Sequence, residues 1–361
     1  MSEYHLPFPI QEEIMKRLPV KSLIRFRSIS LEWKSLIESS EFIGAHSLHR
    51  HTQPQHLLVS YKAPIIGRNY VSYIDDHTFP KQRSVPTLPV SIKQLINARV
   101  VGSSHGLVCL YGYDPNHTTW TTLFWNPSVR KSIAVPVSNK RYVGFGVCPV
   151  TADPKILSIT QSWDDPNIKT SYHCKVMVYT LSSGKWRSLS TNLPSKLLNN
   201  WFSVVVTDGF IYWRVRLPEH MIMSFDVTNE SFQVIDLPYS LTFSDSGFVD
   251  ISKRRDSLAL LQYGIDLSTV SVWMMMEDGA QRSFTKLYTI RTRHIFIVGF
   301  RKNDIPIMKV SDDYQLSKLV VYDPNSEHNN VLEICGSYDL FNVNTYMETL
   351  LLLGRSDCSS Y

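Results

Sequence analysis

The 361-residue chain has no CxxC pair, no run approaching the ~18 apolar residues a membrane helix needs, and no basic stripe. Each absence removes a class of protein. The five cysteines (Cys109, Cys148, Cys174, Cys335 and Cys358) are odd in number and widely spread. Zinc of the usual spacing is therefore excluded, and buried free thiols in a reducing compartment are expected. The first residues lack the basic and apolar regions of a signal peptide. The expected location is cytoplasmic and/or nuclear, with no membrane contact, and the glycosylation-type triplets at Asn116 and Asn229 are read as chance matches. Charge is also sparse, at 19% of residues and a net +5. The excess sits in residues 51–100, with six Lys/Arg against two Asp/Glu, while the remainder is nearly balanced. A phosphate backbone demands a concentrated positive face, so a nucleic-acid partner is not expected. Apolar residues are plentiful at 43%, enough for a sizeable core.

That apolar content is arranged in two rhythms. Residues up to 48 read at helical spacing, and residues 55 to 353 read mostly at strand spacing. Pro9 suits a first helical turn, Ile10, Ile14 and Leu18 recur four apart on one face, and Pro19 stops the helix. A second helix starts near Lys21, Ser30 is placed to cap a third, and Phe42 and Ile43 begin a fourth. Thirteen apolar side chains crowd into ~45 residues, too few residues to hide them all. An 800 Å² apolar face is worth ~20 kcal/mol before ordering costs, so a permanent protein partner is the natural cover.

The run Leu18-Pro19-Val20-Lys21-Ser22-Leu23-Ile24-Arg25-Phe26-Arg27, preceded by Leu6-Pro7 and followed by Ser30-Leu31-Glu32-Trp33-Lys34-Ser35-Leu36-Ile37, resembles the F-box over residues 5 to 48. Ser28 stands where a Cys is common in that family, and Leu31 where a basic residue is common. The resemblance implies binding to a Skp-family adaptor and, through it, a cullin. The residues expected for adaptor contact or support are Leu6, Pro7, Ile10, Ile14, Leu18, Pro19, Val20, Leu23, Phe26 and Trp33. A DNA-reading helix-turn-helix is disfavoured, because Glu12, Glu13, Glu32, Glu38 and Glu41 offset the basic side chains.

The β body repeats one plan: an apolar strand, an aromatic, a polar turn, then another strand. The turn positions fall at Asp75, Asn126, Thr180, Asp226, Met274 and Asp323, in steps of about 50 residues. A period near ~50 with short strands points to propeller blades of the kelch type, six by this count. Glycine leads several strands, at Gly106, Gly209 and Gly247, where positive φ suits a tight turn. The segments Gly102-Ser-Ser-His-Gly-Leu-Val-Cys-Leu110, Trp125-Asn-Pro-Ser-Val-Arg-Lys131, Gly144-Phe-Gly146 and Tyr346-Met-Glu-Thr-Leu-Leu351 resemble the F-box-associated domain of plant proteins. His105 replaces the usual Asn, and Val147 to Asp153 departs from the family pattern. The last apolar strand, Thr345 to Leu353, is expected to return and complete the first blade, which removes an exposed edge.

The fold class is therefore α+β multidomain: a small F-box helical domain before an all-β, kelch-like propeller of about six blades. The expected boundaries are 1–48 for the F-box, 49–56 for a linker, 57–355 for the propeller and 356–361 for a tail. Gly102-Ser-Ser-His-Gly106 matches G-x-S-x-G, but a strand rather than a helix follows, which argues against a nucleophile elbow. His46, His49, His51 and His56 read as a solvated linker rather than a metal site. Met274 to Met276 read as blade packing, and Trp120, Trp163 and Trp201 as candidates for target contact. No catalytic residue, no metal and no cofactor is expected. The function expected is substrate recognition for a Skp–cullin–F-box ubiquitin ligase, with an unknown protein target brought for ubiquitination and degradation. The alternatives are a ligase-independent propeller binding protein, or a propeller enzyme or lectin.

Overall fold

The computed structural model describes residues 6–355 except 49–53, 64–66, 138–141, 166–167, 191–192, 194–200, 218, 243–246, 279–280, 292–294, 312–315, 324–327 and 338–340. His49, His51, Cys358 and the tail lie outside the described residues.

Four short helices come first: α1 (Phe8–Met15), α2 (Val20–Phe26), α3 (Leu31–Glu38) and α4 (Ser40–Leu48). Proline sets the starts of two of them, with Pro7 and Pro19 in extended geometry just outside α1 and α2. Ser30 caps α3 as expected, its Oγ accepting the Trp33 amide at 3.0 Å. The first helix stops short of its expected end. The chain tightens after Met15, with Arg17 N bonding Ile14 O and Leu18 N bonding Met15 O, so Leu18 lies in a turn.

Apart from two short helices at Val90–Gln94 and Tyr239–Thr242, the regular structure that follows is six four-stranded antiparallel sheets. Blade 2 is β4 (Ile96–Ser104), β5 (Leu107–Asp114), β6 (Thr119–Asn126) and β7 (Lys131–Val137). Blade 3 is β8 (Tyr142–Val147) to β11 (Lys185–Leu189), and blade 4 is β12 (Trp201–Val206) to β15 (Ser231–Ile235). Blade 5 is β16 (Phe248–Arg254) to β19 (Gln281–Arg291), and blade 6 is β20 (Ile295–Phe300) to β23 (His328–Ser337). Blade 1 joins β1 (Gln55–Lys62), β2 (Arg68–Ile74) and β3 (Arg83–Ser84) to the C-terminal strand β24 (Asn342–Met347), which pairs with β1 from Gln55↔Met347 to Ser60↔Asn342. The ring is thus closed by the chain's own end, which supplies the innermost strand of blade 1.

Two expectations need adjustment. The closing strand is Asn342–Met347, and residues after it leave the sheet. Met274 is not a turn: it lies within β18 (Thr269–Asp278), opposite Ala259 and Thr285. A run of three methionines has no polar punctuation, so its spacing alone misplaced that turn. The other marked positions do end or follow strands at hairpins.

The core is a ring of six apolar clusters, each between neighbouring blades, and the aromatics before the turns supply them. Trp125 is fully buried and meets Tyr70 of blade 1 edge-on at 5.5 Å. Phe225 packs blade 4 on blade 3, and Tyr73 packs blade 1 on blade 6. The Gly144-Phe-Gly146 motif has a packing cause: a Cβ at Gly144 would meet the Trp213 ring at 2.6 Å, and one at Gly146 would meet Val227 at 2.7 Å. Gly106 has φ +79°, and a Cβ there would strike the Met347 carbonyl.

Candidate interaction surfaces

The helical module has an inside and an outside. Inside, Met15, Val20, Leu23, Ile37 and Phe42 are buried together with Leu350 and Leu353 from the far end of the chain. The module thus borrows two core residues from beyond the last strand. Their segment is held by the turn between β6 and β7. Asn126 donates through Nδ2 to Thr349 O (2.9 Å) and Leu351 O (2.7 Å), while its Oδ1 accepts from Ser128 N at 2.9 Å. Lys131 Nζ donates to Leu353 O at 2.9 Å, Arg355 donates to Leu181 O at 2.8 Å, and Val129 packs on the helical cluster. The motif Trp125 to Lys131 is therefore a socket: its tryptophan locks two blades, and its turn anchors the segment that completes the helices.

Outside, Leu6 (44%), Ile10 (48%), Ile14 (49%), Ile29 (63%) and Leu31 (85%) expose large apolar side chains. Ile10 and Ile14 lie four apart on α1, and Leu6 stands just before its Pro7 cap. Pro7 and Pro19 are also exposed, and Leu18, Phe26 and Trp33 are half-buried. Trp33 stacks at a tilt on Phe26 (5.3 Å between centroids) and donates through Nε1 to Gln11 Oε1 at 3.1 Å, tying α3 to α1. Val20 and Leu23 are fully buried, so they support the exposed face from beneath. Ile29 and Leu31, the two most exposed of the set, were not among the expected contact residues. Their signal was present: apolar residues beside the Ser30 cap, one at a position where charge is usual.

Antiparallel connectivity gives the ring two ends. The turns after Ser104, Asn126, Thr180 and Asp226, and the start of β1, share the end that touches the helices. The opposite, distal end carries the β5–β6 turn, the turn between β17 (Ser257–Tyr263) and β18, and the crossovers between blades. Trp120 near the start of β6, Trp163 near the end of β9 (Pro154–Asp165) and Trp201 at the start of β12 all lie towards this distal end, on three consecutive blades. Trp120 is half-buried, stacked on Tyr111 at 5.0 Å. The side chains of Trp163 and Trp201 lie outside the described residues. Exposed Val90, Ile96, Tyr239, Ile265 and Leu316 also sit at or near the distal end.

The Gly-x-Ser-x-Gly match is not assembled for catalysis. Ser104 is buried and its Oγ accepts from Val147 N at 3.3 Å. Ser104 Oγ lies 3.0 Å and Asp208 Oδ1 3.8 Å from the same ring nitrogen of His105, Nδ1, whereas a relay needs opposite nitrogens. His46 is buried and bonded through Nε2 to Leu18 O at 3.0 Å, and no group of three potential metal ligands occurs among the described residues. Cys109 and Cys148 are buried as expected, and burial raises the Cys109 thiol pKa; Cys335 is instead exposed. No helix among the described residues is long and apolar enough to cross a membrane.

Comparison with known families agrees with this geometry. The F-box associated beta propeller domain matches residues 57–347, and the F-box domain matches residues 4–43. The chain belongs to the F-box-associated β-propeller family and carries an F-box ahead of the propeller. Its relatives include the Arabidopsis thaliana F-box protein At2g21930, 28% identical over 88% of this chain and 82% of that protein. Another is the F-box protein CPR1 of the same plant, 25% identical over 98% of this chain and 91% of the relative. The F-box/kelch-repeat protein At3g23880 is 27% identical over 80% of each chain. Among solved structures, TolB from Acinetobacter baumannii aligns with a TM-score of 0.48 at 8% identity over 85% of this chain and 72% of that one. That likeness says nothing about what this chain binds.

Proposed function

We propose that this chain is the substrate-recognition subunit of a Skp–cullin–F-box ubiquitin ligase. The helical module binds a Skp-family adaptor, and the propeller presents a protein target. The observation that carries this reading is the apolar face of Leu6, Ile10, Ile14, Ile29 and Leu31, exposed on a module whose core is already filled. An exposed patch of that kind marks a partner rather than a fold requirement. The chain does no bond chemistry in this reading. It raises the local concentration of the target near a ubiquitin-loaded enzyme, which turns an encounter between two molecules into an intramolecular one.

Leu6, Pro7, Ile10, Ile14, Ile29 and Leu31 make contact, while Val20, Leu23, Phe26 and Trp33 hold the contact residues in place. The test is retention on purified immobilised adaptor, wild type against Ile10→Asp/Ile14→Asp. These side chains are half exposed, so the variant keeps its fold, whereas a charge at buried Leu23 would confuse unfolding with lost contact. Equal retention of wild type and variant refutes the reading. Adaptor retention without cullin co-purification supports instead a ligase-independent tether.

A further inference from the structure

A cavity of about 530 Å³ runs inside the innermost strands of the propeller. Arg68, Arg99 and Lys253 line it, and the one carboxylate among its described lining residues, Asp250, is already engaged. Asp250 accepts from Ser203 Oγ at 2.5 Å and from Ile251 N at 2.8 Å, and lies 3.7 Å from Arg214 Nε. The three cations have no such balance. Among the described residues no carboxylate lies within ion-pair distance of Arg68, Arg99 or Lys253. Arg68 is half-buried and, among the described residues, donates only to Ser60 Oγ at 3.3 Å; burial lowers its pKa, opposed by the nearby Tyr70 hydroxyl rather than by a carboxylate. Removing a cation from water without a counter-charge is unfavourable, and an arriving anion recovers part of the loss. Arg68 and Arg99 belong to residues 51–100, where the chain's positive excess lies. The fold brings both to the distal end, one starting β2 and the other near the start of β4.

The surroundings of Arg99 add apolar anchorage. Its guanidinium lies over the Tyr111 ring at 5.2 Å, and that ring stacks on Trp120. Trp120 meets Tyr113 edge-on at 5.8 Å, and Tyr113 pairs across β4 with exposed Ile96. Arg99 lines the cavity and the aromatic group lies beside it on blade 2; Arg, Tyr and Trp are the residue types that dominate binding energy. The larger cleft between the helices and blades 3 and 4, about 730 Å³, differs in this respect. Its Lys155 and Arg187 both pair with Glu230, and its Glu38 pairs with Arg27.

We propose that the distal mouth of the central channel docks a segment of the target protein that carries a carboxylate next to an aromatic or aliphatic side chain. The acid reaches Arg68 and Arg99, and the apolar group covers Ile96, Tyr113 and Trp120. The proposal rests on the reading of the propeller as the target-binding part, and it names the chemistry of the target.

The test uses the full chain bound to its adaptor and short fluorescein-labelled peptides of Glu, Leu and Trp, with Lys-for-Glu counterparts of the same length. Fluorescence anisotropy at low and moderate salt gives the affinities. The acidic peptide is expected to bind at least about tenfold more tightly than its basic counterpart, and to weaken as salt rises. Arg68→Gln/Arg99→Gln is expected to lose about tenfold in affinity, and Arg99→Gln alone, at an exposed position, a smaller part of it, with adaptor retention unchanged in both. Equal binding of the acidic and basic peptides, or unchanged affinity in the double variant, overturns the proposal. So does displacement of the peptide by inorganic phosphate, or by oligouridylate, as effective as that by unlabelled peptide. Loss of adaptor retention by the wild-type chain would sink the ligase reading instead, whatever the peptides do.

Discussion

The helical module and the propeller blade solve the same problem in opposite ways. Each is a small unit with more apolar surface than it can cover alone. A blade covers its surface with the next blade, and because the ring closes through β24, every blade has two neighbours. The module has one neighbour. It completes its core with Leu350 and Leu353, and still shows five large apolar side chains to solvent. Closure leaves a blade satisfied, whereas the module is satisfied on one side and available on the other.

The sharpest way to break this comparison is Leu353→Asp. A carboxylate in an apolar cluster with no partner costs several kcal/mol. The module should open while the ring persists. Amide hydrogen exchange should show lost protection in α2 and α3 and unchanged protection in β17 (Ser257–Tyr263); equal loss in both would mean the two parts fold as one unit. Asn126→Ala leaves the Thr349 and Leu351 carbonyls without their donor, at about 1–3 kcal/mol, measurable by chemical denaturation. Ser30→Ala removes one helix cap, at about 1 kcal/mol, and should act on the module alone.

A smaller effect is expected from acid. His56 of β1 is buried, and desolvation holds its pKa below the usual value. Folding therefore favours the neutral ring. That contribution is complete above the unfolded pKa of about 6.5, and is lost as pH falls from there through the lower folded value. Glu348, 3.9 Å away, has the opposite sense: burial raises its pKa, so its contribution is present below the usual glutamate range and is lost as pH rises through the folded value. Thermal melting of His56→Gln between neutral pH and pH 5.5 should be flatter than that of wild type. An unchanged slope would place the acid sensitivity elsewhere. The smallest stability effect belongs to Ile10→Asp/Ile14→Asp, within about 0.5 kcal/mol, although adaptor retention should fall most of all in that variant.

Features that depend on near neighbours in sequence were legible before any fold was known. The Ser30 cap, the proline-led helix starts and the period of the turns are of this kind. The misplaced turn at Met274 shows the limit, because three methionines look alike from either side of a strand. The exposed apolar face of the helical module was half legible. Leu6, Ile10 and Ile14 could be read from spacing, but whether Val20 or Leu31 faced outward could not, since that choice is made by Leu350 and Leu353 arriving from the other end of the chain. The Trp125 to Lys131 motif was recognisable as a pattern, but its work as a socket became visible only once Thr349 to Arg355 lay across it.

By itself, the order of residues determined that a short helical segment precedes a long run of strands, that the strands repeat about every 50 residues, and that the positive charge gathers in residues 51–100. Only the tertiary structure decided which apolar side chains are covered, which arginines have no carboxylate within ion-pair distance among the described residues, and which end of the ring faces away from the helices. The physical reason is range. Backbone preference and periodicity act within a few residues, while burial and charge balance depend on partners that the closed ring brings together from nearly three hundred residues away, as it does Ser72 and Tyr346.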